Sequence, residues 1–164
     1  MRLESLATQK KSLLNFCCLS FPLALIPSTI FYILASSILR WTGTDLETIK
    51  APEQSLTSTA VAFTILVGPA LETLILALII RLILIFTKRK NVVAAVSALL
   101  VAGIHGTIGP LWFFGTVWTF FVLSSGYLIW REESFLKACT AALIPHMLIN
   151  TTVVLATTAA SLYT

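Results

Sequence analysis

The sequence predicts an all-α membrane protein, a polytopic bundle of about five transmembrane helices. Of its 164 residues, 57% are hydrophobic and 11% are charged, whereas soluble domains carry roughly 25% charged residues. The mean hydropathy is +0.94, and the charged residues collect in short segments between long apolar runs. A chain that crosses a bilayer several times has this pattern. We therefore expect the lipid bilayer as a partner, and no nucleic acid.

The first apolar run, residues 13–39, follows a short basic segment. It is too long for the hydrophobic region of a signal peptide, so we interpret it as a retained helix. Pro22 and Pro27 should kink or break this helix, because proline removes a backbone donor. A polar connection, residues 40–56, follows it.

Four further apolar runs follow, and the first three are ended by charged residues or by a Gly-Pro step. They cover residues 56–87, 92–108, 112–129 and 135 to the end. The first of these four exceeds the ~20 residues that a bilayer requires, so we expect it to tilt, to bend at Gly68-Pro69 or to protrude. We divide the chain into an N-terminal transmembrane helix with its polar connection, residues 1–55, and a four-helix core, residues 56–164.

The distribution of lysine and arginine predicts the orientation, because basic residues gather on cytoplasmic segments. With the N terminus inside, two basic residues fall outside, Arg40 and Lys50. Eight fall inside, namely Arg2, Lys10, Lys11, Lys88, Arg89, Lys90, Arg131 and Lys137. The N terminus is therefore predicted to be cytoplasmic, in a multi-pass protein of the plasma (inner) membrane.

Four residues inside the apolar runs are chemically out of place: Glu72, His105, His146 and Asn150. Ionisable groups in a membrane span are costly and mark functional sites by default. Glu72 and His105 lie 16 and 15 residues from the Lys88–Lys90 cluster, which places both about 22 to 24 Å from that flank. His146 and Asn150 are four residues apart and share a helix face. One pocket can therefore hold a carboxylate, two imidazoles and an amide.

Each of these residues also has a purely structural interpretation. A buried carboxyl can stay protonated, and neutral imidazoles and amides can bond across helices. Arg81 lies close enough to Lys88 to extend to the inner interface, so we give it no chemical role. The aromatic residues between 112 and 121 are interpreted mostly as lipid-facing belt and packing.

Three short motifs occur in order along successive spans: Pro69–Glu72, Val101–His105 and His146–Asn150. They resemble the three motifs of the CPBP family of intramembrane proteases, named for CAAX proteases and bacteriocin-processing enzymes and also called Abi proteins. The family patterns are Pro-x-x-Glu-Glu-x-x-x-Arg, Phe-x-x-x-His and His-x-x-x-Asn. The resemblance covers roughly residues 60 to 155. Thr73, Ala77 and Val101 stand where the family has its second Glu, its Arg and its Phe.

The resemblance implies an endopeptidase that hydrolyses a peptide bond of a membrane-associated peptide or protein. It assigns water activation to Glu72 with His105, and stabilisation of the oxyanion to His146 with Asn150. We expect no cofactor. Zinc is the alternative, in which Glu72, His105 and His146 would be the ligands, although they share no local ligand motif. Assembly as a homo-oligomer stays open.

Two other functions use the same residues. Because Thr73 and Ala77 replace charged residues of the first motif, the chain can also be an inactive relative that acts as an immunity protein or a scaffold for a partner's membrane helix. A proton-coupled transporter or relay would also need buried Glu and His groups. Five spans without a visible inverted repeat make a transporter the weakest of the three hypotheses.

Overall fold

A computed structural model describes residues 12–50 and 55–162, and 87% of these residues are helical, without strands. Within them, five helices are long and apolar enough to cross a membrane. They are α1 (Leu13–Trp41), α2 (Ser58–Phe86), α3 (Lys90–Ile108), α4 (Pro110–Trp130) and α5 (Phe135–Ser161). A 3₁₀ turn, Leu46–Thr48, lies between α1 and α2. The prediction of an all-α, multi-pass membrane bundle is confirmed.

Short connections join the last four helices. Gly109, with extended backbone, separates α3 from α4, and Pro110 begins α4, where its missing N–H costs nothing. The Ser134 hydroxyl accepts the Lys137 N–H at 3.1 Å and caps the start of α5. Lys90 at the start of α3 pairs with Glu132 after α4. The ends of α2 and α4 and the starts of α3 and α5 therefore meet at one side, which we call the basic end of the bundle.

Two expectations concern the N-terminal part of the chain. Helix α1 runs through Pro22 and Pro27 without interruption, so neither proline breaks it. The basic residues Arg2, Lys10 and Lys11, on which the orientation partly rests, lie outside the described residues. The cytoplasmic N terminus and the division of the chain at residue 55 stay predictions.

Helix α4 forms the centre of the bundle. In its most apolar stretch 56% of the residues are buried, against 22% in α1. Helices α1, α3 and α5 pack around it, while α2 lies against α3 and α5 at the periphery. The position of α2 matters for the site, because this helix carries Glu72 at the edge of the bundle.

Small residues allow α1 and α4 to approach closely. Ser20, Ala24 and Ser28 are buried at every fourth position along α1, and the Ser28 and Thr119 hydroxyls are hydrogen-bonded at 2.8 Å. Opposite, a Cβ added at Gly126 would lie 3.0 Å from a ring carbon of Phe16. Small and hydroxyl-bearing residues are the usual contact surface between membrane helices.

Helix α2 is irregular immediately before Glu72. It begins as an α-helix, Ser58–Ala62, continues as a π-helix, Phe63–Val67, and returns to an α-helix at Gly68–Phe86. The Gly68 N–H donates to the Phe63 carbonyl, five residues back. The expected irregularity at Gly68-Pro69 is therefore a π turn that lies just before this step.

Candidate active site

The Glu72 carboxylate lies between two imidazoles. Its Oε2 is 3.5 Å from His105 Nε2 and 3.5 Å from His146 Nε2. The three residues come from α2, α3 and α5, so the shared depth predicted for Glu72 and His105 is confirmed, and His146 reaches the same point. Both distances exceed the 2.7–3.2 Å of a direct N–H···O bond.

Burial differs strongly within this cluster. The side chains of His105 and His146 are 12% and 6% exposed, whereas Glu72 is 31% exposed. Its neighbours Leu71 and Ile75 are exposed apolar residues, as expected for a face of α2 that contacts lipid. The Glu72 side chain therefore lies at the rim of the bundle, while its Oε2, which faces the imidazoles, is itself buried and has no hydrogen-bond partner among the described residues.

His105 is held in one orientation by its own helix and by two aromatic rings. Its Nδ1 lies 2.9 Å from the Val101 carbonyl, which can only accept, so Nδ1 carries a hydrogen. Trp112 and Phe120 pack on the ring with centroids 5.0 and 5.2 Å away. The Nε2 of a neutral His105 then presents a lone pair to Glu72, so one further proton on either residue makes this contact favourable.

His146 is the more deeply buried imidazole. Its Nδ1 has no hydrogen-bond partner among residues 12–50 and 55–162, and its Nε2 faces the carboxylate. Because a carboxylate accepts, we assign the hydrogen of neutral His146 to Nε2. The ring of Phe120 packs edge-on at 5.5 Å. His146 thus points an N–H donor at the Glu72 carboxylate.

Phe120 contacts both imidazoles and is 1% exposed. Sequence reasoning placed it among packing and belt aromatics and did not connect it with the site. Only its burial on the central helix distinguishes it from neighbours such as Phe114, which is exposed. No sequence pattern around it would have identified this contact.

Gly68 leaves room for the carboxyl group of Glu72. A Cβ at Gly68 would lie 3.9 Å from Glu72 Oε1 and 3.3 Å from the Phe63 carbonyl oxygen. The Glu72 side chain therefore extends back along α2, toward the N terminus, as helical side chains do. A Cβ at position 68 would crowd the Phe63 carbonyl of the π turn and would be in ordinary van der Waals contact with the carboxyl.

Asn150 lies next to this cluster but has a backbone partner. Its Nδ2 donates to the Thr64 carbonyl at 2.9 Å. In the π turn the donor expected for that carbonyl is the residue five positions on, and this residue is Pro69, which has no N–H. Asn150 thus replaces the missing backbone bond and ties α5 to α2. The second N–H of its amide stays available to another acceptor.

Thr73 and Ala77 both face the interior of the bundle. They are 3% and 6% exposed, and the Thr73 hydroxyl has no hydrogen-bond partner within the described part of the chain. The positions that hold a Glu and an Arg in the CPBP pattern are here closely surrounded by other side chains. Introducing either charge alone would bury it without a partner, at a high cost.

As placed, Glu72, His105 and His146 do not form a group that could hold a metal ion, and the described residues contain no other such group. The zinc alternative stays a prediction of the resemblance. No step proposed for the chemistry passes through a metal.

The fold and this cluster define a class: a multi-pass helical membrane protein with a carboxylate and two imidazoles at one point of its interior. Comparison with protein-family models, with curated proteins and with solved structures finds no match. The resemblance to the CPBP proteases therefore rests on the three motifs alone.

Proposed function

We propose that the protein is an intramembrane endopeptidase of the CPBP type, in which Glu72 activates a water to hydrolyse a peptide bond. The observation that carries this proposal is the placement of Glu72 Oε2 at 3.5 Å from two imidazole Nε2 atoms. A general base has to lie within reach of the proton it abstracts and near groups that stabilise the transition state. A water beside Glu72 would have both kinds of group around it.

The first step is the addition of water to the scissile carbonyl. Glu72 removes a proton from the water, and the resulting hydroxide adds to the carbonyl carbon, which leaves a negative charge on the carbonyl oxygen. His105, fixed by its Nδ1–H bond to Val101, carries a second proton on Nε2 in this step, and as an imidazolium it orients the carboxylate and stabilises its negative charge. Positioned proton transfer of this kind typically contributes a factor of about 10² to 10⁴ in rate.

The second step breaks the C–N bond. The protonated Glu72 donates its proton to the amide nitrogen, the bond cleaves, and a carboxylic acid and an amine are released. His146 Nε2–H and the second N–H of Asn150 are the donors for the oxyanion before this cleavage. Removing one donor of this kind costs about 10²- to 10³-fold in kcat in known oxyanion holes.

The substrate would reach the site from the lipid side of α2. Glu72 is 31% exposed, and the residues beside it on that face are apolar. A membrane-associated peptide whose backbone approaches along α2 would meet the carboxylate before the two imidazoles. Buried histidines behind a partly exposed glutamate side chain, whose Oε2 is covered, suit a hydrolase that acts on a segment held in the bilayer once the Glu72 side chain moves to admit it.

The test is cleavage of a panel of membrane-embedded reporter peptides by the full chain in liposomes. Glu72→Gln keeps the shape of the side chain and removes the base, so cleavage should be lost. Glu47→Gln is the matched control, since Glu47 is exposed and lies outside the spans, and it should cleave normally. A Glu72→Gln variant that still cleaves contradicts the proposal. Repeating the assay with a zinc chelator tests the metal alternative, and we expect no loss.

A catalytically inactive scaffold is the second candidate. Two observations favour it. Thr73 and Ala77 are buried where the CPBP pattern has a Glu and an Arg, and one N–H of the Asn150 amide is already bonded to the Thr64 carbonyl. Such a protein would hold a partner's membrane helix or act as an immunity protein. It would retain its phenotype in the Glu72→Gln variant, whereas a protease would lose it.

A further inference from the structure

A cavity of about 310 Å³ opens at the basic end of the bundle, among α2, the end of α4 and the start of α5. Four of its six lining residues are apolar or aromatic, and the other two are arginines. The lining residues are Ile80, Arg81, Leu84, Tyr127, Arg131 and Phe135. Two positive charges on one wall repel each other unless an anion lies between them.

The carboxylates next to Arg131 do not neutralise this cavity. Glu132 pairs with Lys90, and Glu133 accepts from Lys137 at 2.7 Å. Among residues 12–50 and 55–162, neither Arg81 nor Arg131 forms an ion pair. Within the described part of the chain, the cavity therefore presents two cations and no lining carboxylate.

We propose that this cavity, which we call the arginine cavity, binds a phosphate group, and that the group is the headgroup phosphate of an anionic phospholipid. Guanidinium groups donate pairs of parallel hydrogen bonds to phosphate oxygens, which makes arginine better suited than lysine to this task. The Tyr127 hydroxyl, on the same wall, adds another donor. Basic pockets between membrane helices near the inner surface are known to bind acidic headgroups.

The depth of the cavity suits a lipid. Arg81 lies seven residues before Lys88, so its Cα is about 10 Å from the basic flank, within reach of the headgroup layer. A volume of about 310 Å³ is at the lower limit of ligand pockets, which fits a headgroup and excludes a whole lipid.

The surroundings supply a place for the acyl chains. Ile85 and Phe86 on α2 and Phe135 and Leu136 on α5 are all exposed apolar residues beside the cavity. Acyl chains attached to a bound phosphate would lie against them. Extension of Arg81 to the interface would account for one cation here, but it does not account for a second guanidinium on the same wall.

The test measures binding of short-chain phosphatidic acid, short-chain phosphatidylcholine and inorganic phosphate to the purified full chain. Arg81→Gln and Arg131→Gln should each weaken binding of phosphatidic acid by about tenfold or more, the loss expected for a charged hydrogen-bonded contact. Arg89→Gln is the matched control, because Arg89 is an exposed cation near the same end that does not line the cavity. Its affinity should stay within about twofold.

Unchanged binding in both cavity variants, or an equal loss in Arg89→Gln, overturns the proposal. Inorganic phosphate that binds as tightly as phosphatidic acid overturns the lipid assignment, and equal binding of phosphatidylcholine overturns the need for an anion. If a glutamine variant fails to fold, Arg81→Lys and Arg131→Lys replace it, since they keep the charge and lose the paired donors; affinity should still fall. Glu72→Gln should bind normally, so this result is independent of the proposed protease activity.

Discussion

Two contacts between helices place polar side chains inside the bundle, and they differ in kind. Where α1 meets α4, neutral groups pair at short distances: Ser28 with Thr119 at 2.8 Å, and the Trp118 N–H with the Leu23 carbonyl at 3.0 Å. Where α2 meets α3 and α5, ionisable groups face each other at 3.5 Å. The first arrangement holds helices together, and the second leaves hydrogen-bonding capacity for a ligand.

The largest effect is expected at Glu72. Changing Glu72→Gln should lower cleavage by about 10² to 10⁴-fold, because the base is lost, while the unfolding midpoint in mixed detergent micelles changes little. Ser28→Ala should show the reverse, with full cleavage and a lower midpoint. The distinction between the two helix contacts is wrong if the Glu72→Gln variant loses stability and keeps its activity. Initial cleavage rates and unfolding curves, recorded on the same preparations, measure activity and stability.

The next effect is expected at Gly126, on the α1–α4 contact. A Gly126→Val side chain would meet Phe16 at 3.0 Å and the Ala141 carbonyl oxygen at 3.3 Å, so the helices have to separate. We expect a loss of about 1 to 3 kcal/mol in the free energy of unfolding, as for other overpacked sites. Gly103→Val is the control, because an added Cβ there meets nothing within 4 Å. Equal losses in the two variants would show that glycine flexibility, and not close packing, matters.

A smaller effect is expected from the Asn150 bond to Thr64. Asn150→Ala should cost about 1 to 2 kcal/mol of stability, the range found for such bonds in model membrane peptides, because the Thr64 carbonyl loses the donor that replaces its backbone bond. The cost should shrink in a Pro69→Ala background, because an alanine at this position would restore a backbone N–H for the Thr64 carbonyl. A double-mutant cycle measures this coupling. Additive losses would mean that Asn150 does not compensate for Pro69.

The smallest effect is expected for the hydroxyl pair of α1 and α4. Ser28→Ala should cost about 0.6 kcal/mol, near the average for such bonds in a membrane protein. Ser36→Ala is the control, since the Ser36 hydroxyl bonds only to its own helix at Ile33. The reading is again the unfolding midpoint in mixed micelles. If both variants behave alike, the short Ser28–Thr119 contact contributes nothing specific to helix association.

The sequence was sufficient to predict the helices and to single out Glu72, His105 and His146 as candidate members of one cluster. Apolar runs and charged flanks determine where helices of a membrane protein begin and end, and residue counts from a shared flank place Glu72 and His105 at one depth. His146 could be placed only loosely, because the counts from Lys137 and from Arg131 differ.

Other contacts could not be read from the sequence. The Asn150 bond to Thr64 depends on a π turn, and no residue pattern in Phe63–Val67 predicts one. Phe120 contacts both imidazoles because of how α4 is rotated about its own axis, and the sequence does not determine this rotation. Arg81 was expected only to extend to the interface. The cavity that it lines together with Arg131 could not be predicted without knowing which helices are neighbours.

The π turn at Phe63–Val67 also affects how the chain tolerates length changes. A π turn amounts to one extra residue within an α-helix, and one residue corresponds to about 100° of helix rotation. Deleting one residue between Ala62 and Gly68 would therefore convert the π turn into a regular α-helical turn, and both Ser58–Ala62 and Glu72 would keep their present orientations. The same deletion after Gly68 would rotate Glu72 away from its partners or displace everything beyond it. Homologous chains would accordingly align with single-residue gaps before Gly68 and none between Glu72 and Phe86.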